Sequence, residues 1–375
     1  MTRSADVIVV GGGMMGAAIG YGTARCGART IVLDEGDLAF RAAKANFGNV
    51  MVQGKGLGRN AYHRWTRLSA LRWAELAQML KEDTGVDVDL VPSGTMRPAL
   101  SDEEMASFID ENTRLAQELG DGSYSFDIVD RRQLANVLPG LGPEVVGATF
   151  TAYDSMLTPL YALRAFHAGL VRHGGTYRPE SKVTRIVRED SSFTVETASG
   201  KVRASQVVIA AGLGGRELAP QVGLKLPLEA ERGQLLVTER VRPFLPFPFG
   251  TIRQTAQGSV MLGRSAERIG DSLATTPAAM LEIARRNVRI LPELARLRVV
   301  RQWAGLRVMA PDGYPIYEQS ETHPGAFTAT CHSAVTLAAA HALELAPSIL
   351  DGTLHPLAAT FKASRFDPVE NYEMT

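Results

Sequence analysis

With 375 residues and 40 basic side chains against 40 acidic ones, the chain has no net charge, which argues against nucleic acid or an anionic membrane as its main partner. At about 150 residues per domain, the length predicts about two domains. Only Cys26 and Cys331 are present, without CxxC or metal-ligand spacing, so a disulfide framework is excluded and a reducing compartment is indicated.

Val7 to Val10 is a short apolar, β-branched run, the pattern of a strand buried on both faces. Gly11, Gly13 and Gly16 follow in GxGxxG spacing and open a proline-free helical segment from Met14 to Cys26. Gly11 turns the chain, Gly13 lets the backbone approach a pyrophosphate, and Gly16 lets helix and strand pack closely. The free N–H groups and dipole at the helix start favour phosphate. A second run, Thr30 to Leu33, ends in Asp34, placed to accept hydrogen bonds from an adenosine ribose. Strand, glycines, helix and acid in register predict a dinucleotide site. Val7 to Ala24 is also uncharged and approaches membrane-spanning length, but its six glycines make it a poor span, and no cleavable signal precedes it. The expectation is a soluble, unprocessed, cytoplasmic protein, free or held at a membrane through a complex.

Beyond Asp34, the stretch from Ala45 to Gly56 is glycine-rich and reads either as a cofactor-contacting loop or as plain surface. Ala61 to Glu82 predicts a helix stopped at Gly85; Arg59, Arg64, Arg67 and Arg72 around it read as a solvated face or a docking surface. Val86 to Arg97 is strand-like, and Ser101 caps a helix from Asp102 to Leu119. Pro159 starts a helix to about His173. Ser181 to Arg188 alternates, Phe193–Glu196 and Lys201–Ala204 form a hairpin, and Val207 to Ile209 is a further buried strand ending in the small-residue turn Ala210 to Gly214. Leu226–Thr238, Phe249–Gln254 and Ser259–Leu262 predict a second region where alternation replaces the βαβ rhythm. The proline-aromatic segment Arg242 to Phe249 runs along an edge, as a lid or partner contact or with its phenylalanines tucked inward. A helix from Pro277 to Leu291, a strand through Val299, Val300 and Trp303, and a last helix from Val335 to Leu350 complete the pattern.

Several of these stretches together resemble the FAD-dependent D-amino acid oxidase superfamily. They are the fingerprint ending in Asp34, the Asn46, Phe47, Gly48 loop, Val207 to Gly212, and Arg232, Gly233, Gln234. Trp303 to Arg307 and Cys331, His332, Ser333 before Val335, Thr336, Leu337 complete the set. Within the superfamily the chain is most similar to the FAD subunits of opine oxidases, D-hydroxyproline dehydrogenases and hydrogen cyanide synthase. Three departures stand out: Lys44 where many relatives have serine or arginine, Glu318 in place of a glycine, and a shorter turn at His332 that lacks an arginine some relatives use.

The resemblance implies an α/β fold of the D-amino acid oxidase and glycine oxidase type. A Rossmann-like FAD-binding domain would be assembled from 1–85, 145–215 and 300–375, and an antiparallel-sheet substrate domain from 86–144 and 216–299. FAD would be held by Gly11, Gly13, Met14, Met15, Gly16, Asp34, Asn46, Phe47, Gly48, Val183, Ala211, Gly212, Arg307, Ser333, Val335, Thr336 and Leu337. The implied reaction oxidises the C–N bond of an amino acid, imino acid or opine by hydride transfer to the flavin. It would take place in a subunit passing electrons to a partner that carries flavin or an iron-sulfur centre; two cysteines are too few to hold such a cluster here. A self-sufficient oxidase is the alternative. A nicotinamide dehydrogenase or a non-catalytic nucleotide-binding subunit is the third reading; a nicotinamide enzyme would continue its βαβ alternation after Asp34, which this chain does not.

Arg307 is the candidate for the substrate carboxylate, because a guanidinium offers a permanently charged fork; its other reading is a structural ion pair. His332 stands between flavin or substrate contact and a hydrogen-bonded structural role. Arg232 and Arg253 belong to the sheet region, where either can face solvent. Cys331 reads as a small packed residue rather than a redox thiol or flavin attachment point.

Overall fold

Residues 3–36 and 42–367 are described by the computed structural model, and β1 (Arg3–Val10) and α1 (Met14–Arg25) form where the glycine pattern predicts. Then come β2 (Thr30–Leu33), β3 (Asn49–Val50), α2 (Asn60–Thr84), β4 (Thr95–Ala99), α3 (Asp102–Leu119) and β5 (Asp127–Asp130). The chain continues through α4 (Arg131–Val137), β6 (Gly147–Thr151), β7 (Ser155–Met156), α5 (Pro159–Arg172), β8 (Thr176–Arg178), β9 (Val183–Glu189), β10 (Ser192–Thr197) and β11 (Gly200–Ile209). The last third holds α6 (Gly215–Leu218), β12 (Glu229–Arg240), β13 (Ile252–Gln254), β14 (Ser259–Leu262), α7 (Pro277–Ile290) and β15 (Val299–Met309). It ends with β16 (Ile316–Gln319), β17 (Ala326–Thr330), α8 (Ala334–Ala340), a π-helical turn at His341–Leu345, and α9 (Ala346–Leu350).

Among the described residues, eight strands form one sheet in the order β16-β17-β11-β1-β2-β8, with the β9–β10 hairpin attached to β11. The run from β17 to β8 is parallel, and β16 closes its edge antiparallel. The sequence suggests a hairpin strand and then a separate buried strand, but Gly200 to Ile209 is one continuous strand. β1 pairs along one side of it, and β10 and then β17 share the other. The polar first half can face water on the hairpin side while Val207, Val208 and Ile209 are buried.

The antiparallel part consists of a four-stranded sheet, β13-β14-β12-β15, and a three-stranded one, β4-β6-β5, linked by a bridge between Met96 and Phe249. This combination of parallel and antiparallel sheets is the expected α/β architecture. The strand expected over Val86 to Arg97 shrinks to Thr95–Ala99. An Asx turn, in which Asp89 N donates to Asp87 Oδ1, a positive φ at Asp89 and another at Gly94 break the pairing before it, leaving a single bridge at Val91.

α1 is buried from Met14 to Ala24 because the sheet lies on one side of it and α5, α8 and the π-helical turn on the others. α2 packs on α8, and Trp73 Nε1 donates to the Val335 carbonyl at 3.0 Å. Of the two readings of the proline-aromatic segment, the inward one holds: Phe249 is fully buried, and Phe244 and Phe247 pack against the core of Leu236, Ile252, Val260 and Ile290. Arg64 and Arg72 of α2 pair with Asp121 and Glu344, and Arg67 lies over the Tyr153 ring. Their charges are thus engaged within the chain. Glu318 accepts from Ala363 N at 3.1 Å and ties the C-terminal segment to β16. The side chain of Lys44 lies outside the described part of the structure. Among the described residues no helix is long and apolar enough to cross a membrane.

Gly22 marks the tightest approach of α1 to the last helical stretch, since a β-carbon there would run into the Ala342 carbonyl oxygen and the Ala346 methyl. Gly22→Ala is expected to lower stability by about 1–3 kcal/mol through overpacking, read as a lower midpoint in urea unfolding. An unchanged midpoint would mean that the two helices separate freely.

Candidate active site

A cavity of about 1190 Å³ opens at the carboxyl ends of β1, β2, β11 and β17. That exceeds the ~300–1,000 Å³ usual for one small ligand, leaving room for a dinucleotide and a substrate together. Its opposite wall comes from the antiparallel sheet: Gly233 and Leu235 of β12, Gly263 and Arg264 after β14, and Gly305 to Val308 of β15.

At the dinucleotide end, Gly11 has φ +103°, and a β-carbon on it would meet the Ala210 carbonyl and Ala211, so the ends of β1 and β11 touch only because it is glycine. A β-carbon on Gly16 would strike the Gly11 carbonyl oxygen. Gly13 differs, since a β-carbon there meets nothing within 4 Å and would project into open space. No side chain caps the start of α1, which leaves its first N–H groups for a ligand. Asp34 lines the cavity and also braces the glycine turn, accepting from the backbone N–H groups of Gly12 and Gly36. Met14, Met15, Val183, Ala211 and Gly212 complete this end. Gly16, Gly48 and Leu337 lie behind the wall: Gly16 packs helix on strand, Gly48 sits against Arg253, and Leu337 is core. The cradle at Gly13 and the uncapped start of α1 fit a dinucleotide cofactor.

At the other end, Asn46, Phe47, Ser333, Val335 and Thr336 line the cavity with Arg307 and His332. Arg307 stands opposite Glu231 in the β12–β15 register, donating from Nη1 to Glu231 Oε1 at 2.6 Å and from Nη2 to the Ser265 carbonyl at 2.8 Å. The ion-pair reading and the cavity position therefore hold together. His332 is pushed down to about 3 by burial and by the cations Lys55, Arg307 and Arg264 around it, so it is neutral at physiological pH. Its ring lies within weak reach of Ser333 Oγ, at 3.3–3.4 Å, and also bonds to the Gly313 backbone. Cys331 is a packed thiol, pushed up to about 12 by burial, which fits the packed reading and not a redox role.

Two groups escape the sequence reading. Lys55 Nζ donates to Ser333 Oγ at 2.8 Å and Thr336 Oγ1 at 3.3 Å, and burial lowers it to about 8. A lysine in a glycine-rich loop carries no local signal for this; only the fold brings it to the start of α8. Arg253 is buried rather than solvent-facing, donating to the Phe47 carbonyl at 2.6 Å and Thr158 Oγ1 at 3.0 Å. It fastens the Phe47 loop to the antiparallel sheet. Arg232 is buried as well, paired with Glu267 at 2.6 Å.

Asp154 supports the Lys55 loop from beneath, its Oδ1 accepting from Val52 N at 2.6 Å and Gln53 N at 3.2 Å, while its buried Oδ2 has no partner among the described residues. Burial raises its carboxyl to about 6, against an ordinary 3.8. Between those values the folded protein holds a proton that the unfolded chain has lost, so this group's contribution is largest below the window and declines as pH rises through it. Asp154→Asn keeps the acceptor for both amides and removes the titration. The difference in unfolding free energy between variant and parent should move in the variant's favour by on the order of 2–3 kcal/mol from about pH 4 to about pH 7, measured by urea unfolding. A pH-independent difference would contradict this account of Asp154.

Comparison with known proteins agrees with the geometry. Residues 6–347 match the FAD dependent oxidoreductase (DAO) family. The chain is 41% identical over 361 residues to one of the subunits of opine oxidase from Agrobacterium tumefaciens (strain Ach5), covering 96% of this chain and 97% of that protein. It is 25% identical to the HcnC subunit of hydrogen cyanide synthase from Pseudomonas aeruginosa, covering 98% of each. Among solved structures, glycine oxidase from Geobacillus kaustophilus superimposes with a TM-score of 0.89 at 22% identity, over 97% of this chain and 99% of that one. A nucleotide cradle and a full-length match together assign the chain to the DAO family of FAD-dependent oxidoreductases.

Proposed function

We propose that this protein oxidises the C–N bond of an amino acid, imino acid or opine, as the FAD subunit of a hetero-oligomeric dehydrogenase. The observation that carries the reading is the site itself: a cationic pocket around Arg307 opens into the same cavity as the dinucleotide cradle. FAD would be held by Gly13 and the start of α1, by Asp34 and Val183 at the adenosine end, and by Asn46, Phe47, Ser333 and Thr336 beyond. When bound, it supplies the hydride acceptor that the chain's own side chains lack.

What remains for the chain is to orient the substrate and exclude water. The fork of Arg307 would take the substrate carboxylate, with Glu231 fixing its rotamer from behind. Phe47 and Leu235 give the pocket apolar surface, and His332, being neutral, can accept or donate one hydrogen bond without repelling an amine.

The proposed division keeps the FAD-binding domain at 1–85, 145–215 and 300–375, and the antiparallel pairing of 147–151 and 299–309 supports counting these two strands with the substrate domain. The partner proposal rests on relatives named as subunits, because the aromatic segment and the α2 arginines are used internally. A cytoplasmic location, at a membrane only through a complex, completes the proposal.

The purified protein should be yellow with FAD, bleach anaerobically with the right substrate, and reduce an artificial dye faster than it forms peroxide. Retained NAD without flavin would sink the assignment, and rapid peroxide release would favour a self-sufficient oxidase. Gly13→Leu should fold but emerge colourless, since the side chain fills the cofactor's space. Arg307→Ala should slow substrate-dependent flavin reduction by about 2–5 kcal/mol, with only partial rescue by lysine. Unchanged kinetics in a folded variant would move the carboxylate site elsewhere.

A further inference from the structure

The charges on the cavity wall are not all used. Among the described lysines and arginines that line it, Arg97, Lys182, Arg286 and Arg307 are paired with Glu111, Glu35, Glu104 and Glu231. Lys55 is engaged by two hydroxyls. Arg264 alone in this set makes no ion pair or hydrogen bond with a described residue, although its side chain is open to the cavity.

Its place is set firmly. Gly263 N donates to the Thr251 carbonyl at 2.9 Å and its own carbonyl accepts from Asn287 Nδ2 at 3.1 Å, while a β-carbon added to it would press on Leu235 and Phe47. Arg264 therefore stands on the antiparallel wall with Arg307 and lines the same cavity as the glycine turn of the dinucleotide end. The electrostatic neighbours agree, since Arg264 acts on His332 and Lys55 and is itself repelled by Arg307 and Arg97, with only Glu231, already paired with Arg307, attracting it. A guanidinium has five donors, and those of Arg264 face the open cavity and not a protein acceptor. A carboxylate matches its fork, and one carboxylate on Arg307 leaves Arg264 still unmatched. The carboxylates at the rim, Glu217 and Glu282, form no ion pair with it.

We infer that Arg264 is a specificity-determining residue that binds a second carboxylate of the substrate, so that the site takes N-substituted amino acids bearing two carboxylates in preference to those bearing one. This rests on the C–N oxidation proposed above.

The test is binding rather than turnover. The FAD-loaded protein is titrated with 2,2′-thiodiacetate, a dicarboxylate whose sulfur replaces the amine, and with (methylthio)acetate, its monocarboxylate counterpart, following the flavin absorbance. The diacid should bind about tenfold or more tighter, the scale of one added charge pair. Arg264→Gln should remove that preference while leaving monoacid affinity within about twofold, and Arg264→Lys should restore part of it. Because Arg264 bonds to no described residue, both variants should keep parental flavin content and unfolding midpoint.

Equal binding of both probes by the parent overturns the proposal and leaves C–N oxidation standing. A preference that survives in Arg264→Gln, or an equal loss of both probes, overturns the assignment to Arg264. Binding of neither probe by the flavin-loaded parent overturns the proposal together with the carboxylate site at Arg307.

Discussion

The contact on which the rest of the molecule depends is the backbone approach of two strand ends that lie far apart in the chain. β1 and β11 run in parallel register from Arg3 to Val10, and the Ala210 N–H then donates to the Val10 carbonyl just before the chain turns at Gly11. Only a residue without a β-carbon fits there. Once that pair is formed, β17 adds to the free half of β11, and its end carries Cys331, His332 and Ser333 to the same edge as the glycine turn. Three distant segments thus become one wall through ordinary ladder hydrogen bonds, and a ligand outside the carboxyl ends of the strands meets all of them.

The facing wall follows a different logic. β12 and β15 pair along their length with glycines opposite each other at Gly233 and Gly305, where bulk would collide with Arg307 and Ala45 respectively. Small residues there hold the sheet close to the loop that carries Phe47, while arginines on either side supply charge. Burying cations such as Arg232 and Arg253 is tolerable because each has a carboxylate, carbonyl or hydroxyl partner, while Arg264 stays open to the ligand space.

Much of this was legible in the sequence where the signal is local. The glycine fingerprint, the cap of α3 at Ser101 and the left-handed stop at Gly85 each depend on residues a few positions apart, and all three stand as read. The motif around Arg307 marks it as a candidate, but its partner Glu231 is not legible there, because register between β12 and β15 decides it. Lys55, Arg253 and Arg264 were illegible for the same reason. Each is an unremarkable cation in sequence whose meaning comes from a carbonyl, a hydroxyl or a ligand space supplied by a remote segment. The strand expected over Val86 to Arg97 failed for an opposite cause, a local Asx turn strong enough to override an apolar alternation.

The clasp between Arg253 and the Phe47 carbonyl joins residues 206 positions apart. Any β-carbon added at the neighbouring Gly48 would collide with that guanidinium and with the Leu157 carbonyl. Position 48 stays closed to a side chain even with a shorter residue at 253, because the Leu157 carbonyl and the φ of +99° remain, while a shorter residue at 253 takes this donor from the Phe47 carbonyl. Each site is thus held by its own constraint, one by backbone and the other by the carbonyl it serves, and the loop behind Phe47 keeps its shape from both sides.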